Sequence, residues 1–208
     1  MSTFGTMADR IADELARTDL TSQIQKAIVS AVKYYERKPF FFNEGKFTLT
    51  TSASQEFYGS ADNANIPNLV NADSVRITVG TTHYTLEKRD YAYIDEISSS
   101  TNTPGDPTDY TYYARQLRFY PIPNAARTVV VSGTFATATL SATTDSNYWT
   151  TDGEELIRSR ATWYLYKNVI KDREQAEDWK ETELEALATI RGDDAERLST
   201  WRFRPTAF

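Results

Sequence analysis

The chain has 208 residues, 40% of them hydrophobic and 25% charged, with a formal charge of −6 and no cysteine. That composition is globular and long enough for one domain or two small ones, and it excludes bulk disorder, disulfides and thiolate metal sites. The acidic balance disfavours a general phosphate-binding surface, no apolar run nears the roughly 20 residues of a membrane span, and MSTFGTMADR lacks the order of a secretion signal.

Met7, Ile11 and Leu15 recur every four residues, which predicts a short amphipathic helix with Thr6 as its N-cap. A second helix is expected from Asp19, a good capping residue, with Leu20, Ile24, Ala27, Ile28, Ala31, Val32 and Tyr35 on one face and Pro39 as its stop. Beyond Phe40, Phe41 and Phe42 a turn at Asn43 to Gly45 leads into a strand through Phe47 and Leu49. Val75, Ile77 and Val79, then Tyr84 and Leu86 after Gly80, read as a hairpin. Further strands are expected at Tyr110 to Ala114, Gln116 to Tyr120 and Thr128 to Phe135. The stretches Ser52 to Asp73 and Ser98 to Asp109 read as surface loops, and Thr137 to Asn147 as a polar return to the helices.

Thr151 and Glu154 suggest a capping box before a third helix carrying Leu156, Ile157, Ala161, Tyr164 and Leu165. Asp172 with Gln175 suggests the cap of a fourth, with Ala176, Trp179, Leu187 and Ile190, ending near Gly192; one bent helix is the alternative. The fold class expected is therefore α+β: terminal helices in a bundle (1–42 and 148–198), an inserted antiparallel β domain (43–147) and an extended C-terminal tail (199–208).

Little in the chain points to chemistry. His83, the one histidine, falls on a hairpin strand, and no G-x-S-x-G turn is present to expose a serine nucleophile. Asp9, Asp13 and Glu14, or Glu154 and Glu155, resemble acid-base pairs only superficially, because acidic residues at helix starts complement the helix dipole. A calcium-loop reading from Asp145 to Gly153 fails at Trp149 and Thr150, and neither phosphate-loop glycine pattern occurs. No catalytic residue, metal or cofactor is expected. The aromatic content, thirteen Tyr and four Trp, suits interfaces and cores alike. In the tail, Trp201, Arg202, Phe203, Arg204 and Phe208 gather residue types that dominate interface energetics, which marks a partner-binding segment. A fold-back of the tail on its own helices is the alternative.

Taken together, IADELARTDLTSQIQKAIVSAVKYYERKPFFFNE, the strand LRFYPIPN that follows a Gly105–Pro107 loop, and the closing helices resemble the head-to-tail adaptor (connector, tail accessory) proteins of short-tailed phages. The L-x-F-x-P-x-P strand of that likeness is Leu117, Phe119, Pro121 and Pro123. The Ser/Thr/Asn-rich stretches Thr50 to Asp73 and Ala136 to Asn147 align with no fixed feature of the family. The resemblance implies a structural virion protein and no enzyme: a ring of twelve neighbouring adaptor copies, docked under the portal protein after DNA packaging. Its helical parts and tail would meet the portal, its β region the tail nozzle or another tail protein. DNA would pass through the lumen at ejection without specific binding, and no membrane would be involved. The rival expectation is a tail-associated protein that binds or cleaves carbohydrate or peptidoglycan.

Overall fold

A computed structural model of the chain describes residues 2–100 and 103–198. Helices α1 (Phe4–Leu15) and α2 (Thr21–Tyr35) come first, followed by strands β1 (Glu44–Thr50), β2 (Phe57–Tyr58), β3 (Leu69–Val79), β4 (Thr82–Thr85) and β5 (Glu87–Lys88). Helix α3 (Tyr91–Ser100) precedes β6 (Asp109–Tyr113), β7 (Gln116–Tyr120) and β8 (Thr128–Phe135). A single turn α4 (Tyr148–Thr151), then α5 (Glu154–Leu165) and α6 (Arg173–Leu198), close the order. The expected α+β class is what forms, in two compact units: Met1–Phe42 with the chain from Thr137 onward, and Asn43–Ala136.

In the helical unit the apolar stripes of α1, α2 and α5 bury one another: Met7, Ile11, Ile24, Ile28, Leu156, Ile157 and Leu165 are all within 1% of full burial. Phe40 and Phe42 stack at 5.3 Å, and Trp149 meets both edge-on at 5.6 and 5.0 Å, closing one end of this core. Helix starts differ from expectation. Thr3, not Thr6, caps α1, because Phe4 is itself core; Thr6 supplies the reciprocal bond, its Oγ1 accepting from the Thr3 N–H at 2.8 Å. Asp19 does not cap α2, since both of its oxygens accept from Arg17 at 2.8 Å, a hydrogen bond that draws its carboxyl down to about 2. The cap position falls to Leu20, which is buried.

The capping box expected at Thr151 and Glu154 forms four residues earlier, between Asn147 and Thr150, because Trp149 must enter the core. Asp172 does accept from the Gln175 N–H, at 3.2 Å, and Lys171 in the left-handed region breaks α5 from α6 after a wide turn at Tyr166–Ile170. Helix α6 runs through Gly192 to Leu198, because Asp194 and Arg197 engage Phe41. The polar stretch 137–147, expected inside the β domain, belongs to the helical unit. Leu140 lies in its core, and the Phe4 and Gly5 amides donate to the carbonyls of Asp145 and Thr143 at 2.8 Å. The Asp145 carboxylate accepts from the Ser141 and Ala142 amides, which closes that turn and holds it below the usual carboxylate range.

The β unit has two four-stranded sheets, β1-β8-β3-β4 and β2-β7-β6-β5, whose inner faces share one hydrophobic cluster. Alternation fixes which face is inward: Phe47 and Leu49, Val75 and Ile77, Val129 and Val131 are buried. All pairings are antiparallel except the short β5–β6 pair. Gly80, at φ 62°, makes the expected hairpin turn between β3 and β4. Between these strands and β5 the backbone changes sheets at Leu86, whose N–H donates to Val75 while the next amide donates to Thr108.

Two expected loops hold regular structure. Ser52 to Asp73 contains β2, a single helical turn at Ile66–Asn68 and the start of β3, because Tyr58, Ile66 and Leu69 are core residues set among polar ones. The start of the loop expected from Ser98 is the end of α3, in which only Ile94 is buried, too little for an apolar period to show.

Candidate interaction surfaces

Among the described residues no group of three or more His, Asp and Glu is arranged to hold a metal, and no helix is long and apolar enough to cross a membrane. Two of the carboxylates that resemble acid-base pairs form interhelical ion pairs instead. Glu14 pairs with Arg158 and Glu154 with Arg10, joining α1 to α5. Burial pushes the Glu14 carboxyl up from its ordinary value, opposed by the Arg158 charge. His83 stands on the exposed edge strand β4, its Nδ1 sharing a hydrogen bond with the Thr78 hydroxyl at 2.9 Å.

In the β unit the central feature is Arg118 on β7, whose side chain is 5% exposed. It donates to Glu56 at 2.5 Å, Asp95 at 3.0 Å and the Ser98 hydroxyl at 2.7 Å. Its guanidinium lies between the rings of Phe57 and Tyr91, 5.0 and 5.1 Å away. A planar fork with five donors between two rings suits Arg alone, and it fastens α3 to the sheet. Beside the edge strand, a groove of about 540 Å³ lined by Tyr84, Leu86, Arg89 and Asp106 opens to solvent. Its charges are already engaged: Arg89 pairs with Glu87 and Asp109, and Asp106 with Arg127.

In the helical unit the corresponding hub is Glu183 of α6, 1% exposed, which accepts from Tyr35 of α2, Arg160 of α5 and Lys180. Arg160 also lies 4.0 Å from the Tyr34 ring and 4.4 Å from that of Trp163, and Lys167 caps the Trp163 ring at 4.7 Å. Tyr34 and Tyr164 remain 47% and 42% exposed beside them. The outcome is a surface of aromatic rings and cations over α2 and α5.

The partner-binding residues expected from sequence, Trp201, Arg202, Phe203, Arg204 and Phe208, lie outside the described residues. The helix that leads to them is described. Near its end Asp194 accepts from the Phe41 N–H at 2.9 Å and Arg197 lies 3.8 Å from the Phe41 ring, which ties that turn to the helical unit. Sequence reasoning missed the Arg118 and Glu183 hubs. Arg118 is the one charge in its strand and Glu183 one of many in its helix, and the signal available was a charge at an inward position.

Two comparisons bear on this arrangement. A family model described as SU10 adaptor protein matches residues 2–206. No curated protein matches the chain.

Proposed function

The chain belongs to the SU10 adaptor protein family, a family of phage head-to-tail adaptors, and on that premise we propose that it docks under the portal ring after DNA packaging and gives the tail its attachment platform. The observation that carries this is the extent of the match, residues 2–206, which takes in both units and most of the tail. The role is structural and non-enzymatic, in the virion at the head-to-tail junction, with twelve copies around a lumen through which DNA passes at ejection. Trp201, Arg202, Phe203, Arg204 and Phe208 are the portal anchor. That reading is supported by the way α6 is tied down through Arg197 and Phe41 just before them. Avidity around the ring multiplies weak single contacts. The β unit, with its uncovered edge strand and exposed Tyr84 and Tyr113, attaches the nozzle or another tail protein.

Analytical ultracentrifugation of the protein, of purified portal rings and of the mixture tests the role. A large stoichiometric complex is expected, and no shift on mixing would overturn it. The chain truncated before Ser199 should stay folded and soluble but no longer sediment with portal rings; undiminished co-sedimentation would remove the tail as anchor.

A further inference from the structure

The helical unit is electrically two-sided. Within Thr21–Tyr35, α2 carries Lys26 and Lys33, both exposed, and no acidic residue. Two grooves flank it. One, of about 460 Å³, has Lys26, Val29 and Lys33 on its wall; the other, of about 280 Å³, has Tyr34, Trp163 and Lys167. Neither groove has a carboxylate in its lining. Helix α6 is the reverse, with nine acidic residues against four basic ones. Glu177, Glu181, Leu184 and Ala188 follow one another at helical spacing along its exposed side, and Leu184 is 54% exposed among them.

An exposed leucine within an acidic stripe and a cationic, aromatic pair of grooves are complementary in both charge and polarity, and they belong to one chain. Complementary patches at different places on one subunit make a heterologous contact, which closes into a ring when the rotation allows. We infer that the acidic outer face of α6 in one copy docks over the α2 grooves of the next, and that this contact joins neighbouring copies. The inference rests on the ring reading above. Charge matching of this kind chooses the partner and its register more than it adds affinity. That suits a subunit that assembles when brought together on another ring.

The test uses two full-length variants: Lys26→Glu with Lys33→Glu, which turns the α2 lysines acidic like the α6 stripe, and Glu177→Lys with Glu181→Lys, which turns that stripe basic like α2. All four positions are exposed, so circular dichroism should show both variants folded. From a net charge of −6 each pair of changes moves the chain by four, to −10 and to −2, so the two proteins do not attract in bulk. Wild type, each variant and the equimolar mixture are sedimented with portal rings, and alone at high concentration. Each variant alone is expected to lose the ring-sized complex, and the mixture to regain it, because alternating copies restore every contact. A mixture that stays unassembled while wild type assembles overturns the contact and leaves the adaptor role standing. Wild type that ignores the portal overturns that role, and the contact is then read from self-association alone; no self-association overturns it too. If the doubly acidic variant still assembles but loses binding to a labelled DNA duplex, the grooves serve DNA and the contact is likewise overturned.

Discussion

The Tyr35 hydroxyl donates a hydrogen bond to the carboxylate of Glu183, joining α2 to α6 across 148 residues of sequence with both side chains buried. Arg160 and Lys180 complete the carboxylate's partners at 3.1 and 2.8 Å. A buried carboxylate is costly unless its partners are all in place, so this one residue locks three helices into a single arrangement.

Glu183→Gln removes the charge but little volume, leaving Arg160 and Tyr35 with a neutral partner. We expect a loss of about 2 kcal/mol in urea unfolding, against about 1 kcal/mol for Tyr35→Phe, which leaves both cations on the carboxylate. Equal losses would mean that the cations contribute nothing.

Burial, and then the adjacent Glu183, push the Tyr35 phenol above its ordinary value. The folded state therefore holds this proton more tightly than the unfolded chain does. Stability from it is fully present below about pH 10, the ordinary tyrosine value, and is lost as pH rises towards the folded one. Between pH 9 and 11 wild type should lose Tm faster than Tyr35→Phe; parallel curves would exclude this tyrosine as a source of alkaline sensitivity.

Arg118→Lys keeps the charge but loses the fork that reaches Glu56, Asp95 and Ser98 together. The expected cost is about 3 kcal/mol, with amide exchange rising in α3 before the rest of the β unit. Exchange that rises uniformly would show that Arg118 does not fasten this helix in particular.

Gly133 lies where β3 bulges against β8, and a Cβ there would stand 2.1 Å from the Asn71 carbonyl oxygen. Because the obstacle is backbone, Gly133→Ala should destabilise by about 3 kcal/mol, while Gly192→Ala, with open space around it, should be neutral or slightly stabilising. Thermal melts of the two variants check the contrast.

The repeating patterns were readable in the chain. The α2 stripe from Ile24 to Tyr35, the alternation of Phe47 with Leu49 and Val75 with Ile77, and the Gly80 turn all follow from periods that local geometry imposes. What escaped the sequence were features set by partners far along the chain. Asp19 has the right side chain for a cap, but Arg17 engages it. Tyr91 to Ser100 offers one buried residue, so its helix depends on Arg118 for its seat.

The sequence by itself determined the helices and strands that carry a clear apolar period, and which face of each is apolar, because those depend on spacing within a few residues. Only the tertiary structure decided which charges go inside. Glu183, Arg118 and Glu14 look like any surface charge in a linear pattern, and their roles arise when distant side chains close around them and exclude water. The two-sided charge of the helical unit became visible for the same reason. It depends on which faces of α2, α5 and α6 remain uncovered once their apolar stripes have met.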